Sequence, residues 1–349
     1  MAGSTTRSAT VRLLAPAVAV AAVLTACGSP AAGSHHDGTR PAHSAGSSPT
    51  TVGSIPDGST ATATTARPTD TSATRPSGRT QATRGMGPTP ALPLGGNRIF
   101  PAYRVVADYG APGNDGLGVL GVGSPDQAAD AIVKRAAAYR RFGKPVQPAM
   151  ELLATVAQGS AGRDGDYSAA VSRDAVAAYL RAAKQHHMLL VLDFQPGRGD
   201  FLPQVKQFRK FLDDPWVGVG LDPEWKMGPH QVPGIAIGSS SAASINAVSS
   251  YLATIVRTGN LPQKLFVVHQ FTAPMLPDRS HLVGHHELAT VLHADGHGNR
   301  AVKQAVYHRL AFPARFATGF KLFLTQDGHM MSPAQVMALR PRPDLVTYE

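Results

Sequence analysis

Cysteine is almost absent from this chain: there is one, Cys27, in 349 residues. No internal disulfide can form, so the fold must be held by burial and polar pairing alone. Long apolar runs are also missing. LLAPAVAVAAVL (13–24) spans only a dozen residues, too few to cross a bilayer comfortably as a helix. Aromatic residues make up 6% of the chain. Lys and Arg are in excess but scattered, with no run and no interleaved aromatics, so no nucleic-acid partner is expected. Several catalytic signatures are absent as well. There is no G-x-S-x-G serine elbow, and neither H-x-H nor H-E-x-x-H occurs. GLGVLG (116–121) matches G-x-G-x-x-G, but it does not open directly onto a helix. No acidic residue ends the second strand candidate where a ribose would need it. The match is read as chance, and no cofactor is expected.

The N-terminal region carries its own pattern. Arg7 and Arg12 precede the apolar stretch, and L-T-A-C ends at Cys27. This resembles the bacterial lipoprotein signal and lipobox. The resemblance implies a signal peptide over 1–26, diacylation of Cys27 and attachment to the outer face of the cell membrane. Residues 27–96 are rich in Gly, Ser, Thr, Pro and Ala and nearly devoid of large apolar side chains. Such a segment cannot bury enough surface to offset the entropy of ordering it, and it reads as a disordered tether. Residues 1–96 hold seven Arg against three Asp, which leaves +6 of the formal +10 for the remainder.

From 97 to 349 the character is globular. Strand candidates lie at 103–110, 145–156, 188–195, 216–224, 264–271, 288–296, 319–327 and 343–349. Helical patterns lie at 124–142, 172–187, 201–214, 241–259, 299–312 and 332–339. Continuous apolar strands alternating with helices imply a parallel sheet covered on both sides. Eight such units predict an α/β fold, a (β/α)8 TIM-like barrel, with an open doubly wound sheet as the alternative. The link 272–287 has no helical pattern, so the fifth unit is degenerate.

In a barrel the chemistry sits at the carboxyl ends of the strands. Polar residues recur there: Asp108 and Tyr109, Glu151, Asp193 and Gln195, Asp222 and Glu224, His269 and Gln270, His293 and Asp295, Gln326 and Asp327. Isolated buried charges are costly, so this repetition on one face reads as an acid-lined cleft. Glu224 is the leading catalytic candidate. Trp225 beside it lowers local polarity, which raises a carboxyl pKa and suits a general acid. Two carboxyl groups across a cleft are what glycosidic cleavage requires.

D-x-E (222–224) resembles the close of the strand-four signature of chitinase-type (family 18) glycosidases. The resemblance implies Glu224 as proton donor and Asp222 as its helper, orienting an acetamido group. The two earlier aspartates of that signature are replaced here by VGVGL. The chain also resembles retaining barrel glycosidases, which implies Asp327 in the nucleophile position, and Asp193 is a further candidate partner. The domain as a whole looks like uncharacterised actinobacterial lipoproteins with barrel-like catalytic domains. The leading expectation is a monomeric, lipid-anchored glycosidase or transglycosidase acting on a polysaccharide. Asp108, Tyr109, Glu151, Gln195, Trp225, His269, Gln270, Asp295 and Gln326 would line the substrate site. Two alternatives stand: a metal-dependent barrel enzyme using Asp193, Glu224 and His269, and a non-catalytic glycan-binding surface protein stacking sugars on Trp225, Tyr109 and Tyr167.

Overall fold

The structure, a computed structural model, describes residues 90–349. The expected signal peptide, the expected lipidation at Cys27 and the expected tether up to residue 89 lie outside the described residues. Among the described residues eight parallel strands close into a barrel. They are β1 (Arg104–Gly110), β2 (Val146–Ala157), β4 (Leu189–Phe194), β5 (Val217–Leu221), β6 (Lys264–Gln270), β7 (Leu288–Ala294), β8 (Ala317–Leu322) and β9 (Leu345–Tyr348). Each pairs in parallel with the next, and β1 pairs with both β2 and β9. This is the TIM barrel expected from the alternating pattern. One short strand was not expected: β3 (Ser168–Ala170) folds back antiparallel on the end of β2.

The helices start where their sequences say they should. In α1 (Pro125–Ala137), Ser124 and Gln127 form a reciprocal capping box, with Pro125 at the first helical position. A Ser or Asn side chain likewise caps α2 (Arg173–Gln185), α5 (Ala242–Gly259), α6 (Arg300–Leu310) and α7 (Pro333–Met337). The helix expected over 201–214 is broken into α3 (Phe201–Gln207) and α4 (Arg209–Leu212). Between β6 and β7 there are two 3-10 turns and no α-helix, as the irregular link implied.

Strand alternation divides the core in two. Outward residues such as Leu190, Leu192, Val219, Phe266 and Val268 pack against the helices. Inward residues Val105, Ala107, Ala149, Leu189, Val191, Leu265, Val267 and Val291 fill the lower barrel. Leu92 and Ile99 join this inner cluster and plug it from below. The tether boundary at 96 is therefore too late. Leu92 is 3% exposed, the Trp216 indole donates to the Ala91 carbonyl at 2.8 Å, and the Tyr103 hydroxyl reaches the Leu94 and Gly95 carbonyls. Composition concealed this because two leucines among Pro and Gly do not register as a core segment.

A chain starting at residue 97 should therefore be less stable than one starting at 90. Loss of the Leu92 burial alone costs about 1.5–3 kcal/mol. Thermal unfolding of the two chains should differ by on the order of 5 °C, and equal midpoints would refute the plug.

Candidate functional site

Above the apolar floor the barrel interior turns polar, and His269 lies at its centre, fully buried. Its Nε2 is 3.1 Å from Glu151 Oε1 and 3.2 Å from Asp193 Oδ2. Its Nδ1 is 3.0 Å from Asp295 Oδ2. The ring is thus held between carboxyl groups from β2, β4 and the end of β7. Burial alone would push the imidazole towards neutrality. The charges of Asp193 and Glu151 and the hydrogen bonds to Asp193 and Asp295 outweigh it, so its pKa stands well above the usual value. Burial also works against ionisation of Asp295. The hydrogen bond and charge of His269, with Lys321 and Lys303 nearby, hold that carboxyl below its usual range.

His293 packs edge-on to His269, ring centroids 5.1 Å apart, with its Nε2 2.6 Å from Thr347 Oγ1. Burial, then the charges of His269, Lys321 and Lys303, drive its pKa well below the usual value, so this second ring is neutral. Room for these groups comes from missing side chains. A Cβ on Gly220 would collide with Asp193 Oδ2, and one on Gly319 with His293 Nδ1. In VGVGL, Gly220 therefore vacates the inner face for a neighbour's carboxylate, while Gly218 allows the close approach of the Leu265 carbonyl.

Lys321 closes one side of the cluster. Its Nζ is 2.7 Å from Glu349 Oε2 and sits 3.6 Å from the Tyr109 ring centroid. Burial pushes the ammonium down, but Glu349, Asp295, Glu151 and Asp222 outweigh it and keep its pKa above the usual value. Gln195 donates to the Tyr109 hydroxyl at 3.2 Å and accepts from Ala157 N–H at 3.0 Å.

The D-x-E residues occupy two depths. Asp222 follows β5, is 3% exposed, and its Oδ1 has no hydrogen-bond partner. Pro223 then opens a 3-10 turn, Pro223–Trp225, which carries Glu224 and Trp225 to partly exposed positions. Burial raises both carboxyl groups well above their ordinary values. For Asp222, His269 opposes the shift while Asp295 and Asp193 add to it. For Glu224, the charges of Asp222 and Asp295 add to it.

Other expected site residues do not join this cluster. Asp108 is an outward position of β1 and forms an ion pair with Arg135 of α1 at 2.8 Å. Gln270 turns to the following loop and donates to the Thr272 carbonyl at 3.0 Å. Asp327 accepts from Gly298 N–H and Phe323 N–H and pairs with Lys303 at 3.0 Å, so it is committed to holding the loop after β8. Gln326 is exposed in that loop, because β8 ends at Leu322 and the expected strand does not reach 327. Tyr109 does join the cluster, beside His269, but it is buried beneath Lys321 and offers no free face for a sugar. Arg198 lies over the Tyr167 ring at 4.1 Å. Of the residues weighed as metal ligands, Asp193 and His269 converge, but the third partner is Glu151 and not Glu224.

Sequence reasoning missed Lys321, Glu349 and Thr347, and left His293 out of the site. Lys321 had a signal: a lysine inside GFKLFL on a strand with both faces covered needs a buried counter-charge. The Gly220 contact also yields a prediction. Gly220→Ala should cost about 1–3 kcal/mol by overpacking against Asp193. In an Asp193→Ala background the same substitution should cost far less, because the colliding carboxylate is gone. Additive losses in a chemical-denaturation cycle would contradict the contact.

Compared with known proteins, the chain matches no family model and no curated protein.

Proposed function

We propose that the barrel is a glycoside hydrolase or transglycosidase in which Glu224 is the proton donor. One observation carries the reading: Glu224 combines a strongly raised carboxyl pKa with partial access to solvent at the mouth of an acid-lined barrel. Its carboxyl would protonate the glycosidic oxygen of the leaving sugar. Asp222, buried two residues before it, would orient the substrate and steady the donor. The partly exposed Trp225 would offer an apolar wall to a sugar ring.

Between the two glycosidase resemblances, the D-x-E type is the better supported. Asp327 is held by Lys303 and two backbone N–H groups, so it is poorly placed for nucleophilic attack. With Asp222 adjacent to the donor, polysaccharides containing 2-acetamido sugars are the first substrates to test. The lipobox resemblance supports a lipid anchor at Cys27, with the barrel working at the outer face of the membrane on an envelope or environmental polysaccharide. None of the described helices is long and apolar enough to cross a membrane.

The test is release of reducing ends from wall polysaccharides and aryl glycosides by the full chain and by Glu224→Gln. Removing a general acid should lower turnover about 10²–10⁴-fold, with the circular dichroism spectrum unchanged. Full retained activity would sink the assignment. The pH dependence follows by sign. The donor must be protonated, and its pKa is raised, so activity persists above the ordinary carboxylate range and is lost as pH rises through the Glu224 pKa. A rate that falls already between about pH 4 and 5, the ordinary titration range of a glutamate, would exclude Glu224 as the acid.

A further inference from the structure

The mouth of the barrel accounts for Glu224 and Asp222. It does not account for the carboxylates beneath them. Asp193 is fully buried; its Oδ1 has no partner, and its Oδ2 meets only the His269 ring nitrogen, at 3.2 Å. Glu151 is 1% exposed, and its Oε2 is likewise without a partner. Buried polar atoms are nearly always satisfied in native proteins, so such a concentration of orphan acceptors calls for a missing partner. The missing partner must be positive, because the surroundings supply acid in excess: Glu151, Asp193 and Asp295 face His269, and the nearby Lys321 is already paired with Glu349.

The spacing says what kind of partner fits. His269 Nε2, Glu151 Oε1 and Asp193 Oδ2 are separated along two edges by 3.1 and 3.2 Å. Ligands about 2.0–2.1 Å from a zinc-sized ion lie roughly 2.8–3.0 Å apart along the edges of an octahedron and roughly 3.3–3.4 Å along those of a tetrahedron, and the observed spacings fall between the two. The three donors come from β2, β4 and β6, rigid strands of one closed barrel, so the set is built before any ion arrives. On the far side of the ring, Nδ1 is 3.0 Å from Asp295 Oδ2. A carboxylate on the distal nitrogen holds the Nδ1 proton, so an entering ion displaces the proton of Nε2 to solvent and takes its place, the usual arrangement around a metal-bound histidine.

We infer that Glu151, Asp193 and His269 form a binding site for one divalent first-row transition ion inside the barrel. One imidazole and two carboxylates are a mixed donor set, suited to zinc, manganese or iron(II) and less selective for magnesium or calcium. Asp295 is a positioning residue that acts through His269. The inference does not depend on the glycosidase reading, because binding is measured without turnover.

The full chain, free of affinity-tag histidines and stripped with chelator, is titrated with Zn²⁺ by calorimetry and with Co²⁺ by visible absorption. One ion per chain is expected, with a rise in thermal midpoint and a Co²⁺ d–d spectrum characteristic of mixed nitrogen and oxygen ligation. The isosteric variants Asp193→Asn and Glu151→Gln should lose the site. Asp295→Asn should weaken Zn²⁺ about 10–100-fold, and Asp327→Asn, outside the cluster, should bind as the native chain does. Absence of Zn²⁺ and Co²⁺ uptake at millimolar concentration by folded native chain would overturn the inference. So would binding that survives unchanged in folded Asp193→Asn. If a variant unfolds, the native chain decides the matter: Zn²⁺ should shift the imidazole NMR resonances of one buried histidine, His269, at one equivalent. Resonances of His269 unmoved by the ion count against the site.

Discussion

A polar imidazole ring buried completely inside a closed barrel imposes the constraint around which the upper half of this structure is arranged. An unpaired charge at such depth would cost far more than the whole stability of a domain. His269 is tolerated because carboxyl groups meet both of its nitrogens. Those carboxyl groups need their own compensation, which Lys321 and Lys303 supply. Lys321 is in turn held by Glu349 and by the face of Tyr109. Removing any one member leaves the others buried and unpaired, which is costlier than never having placed them there.

Backbone geometry makes this crowding feasible. A barrel of eight strands leaves room for little more than its own inward side chains. Below the cluster that room is filled by Val, Leu and Ala. At the level of the cluster it is freed by glycine: Gly220 yields to Asp193 and Gly319 to His293. The strand that looks weakest by propensity, VGVGL, is therefore the one whose side chains had to be absent. Its stability comes from neighbours on both sides, β4 and β6.

Much of the fold was legible because parallel barrel strands read as apolar runs and helices announce themselves by caps. Ser124-Pro125 and Ser332-Pro333 both open helices as the sequence implied. The site was legible only in part, and the reason is parity. Several polar residues at strand ends are immediate neighbours, and in a pleated strand one of two such neighbours faces out. Tyr109 points in and Asp108 out; His269 points in and Gln270 turns away. Composition cannot choose between them without the register. Lys321 in its apolar strand did signal a buried counter-charge; what the sequence withheld is which acids, on other strands, would meet it.

The same parity argument explains how two carboxyl groups separated by one residue come to differ. In a continued strand Asp222 and Glu224 would point to the same side and stack inside the barrel. Pro223 prevents this. It has no N–H to give to a ladder, and its fixed φ suits the first position of a helical turn. The strand stops at Leu221, the 3-10 turn begins, and Glu224 rises to the rim while Asp222 stays below. Asp222 is left among buried charges and holds its proton chiefly through burial. Glu224 holds its proton for the same physical reason but keeps a route to solvent. A proton donor needs both properties at once, and in this chain the proline at position 223 is what allows one carboxyl group to have them.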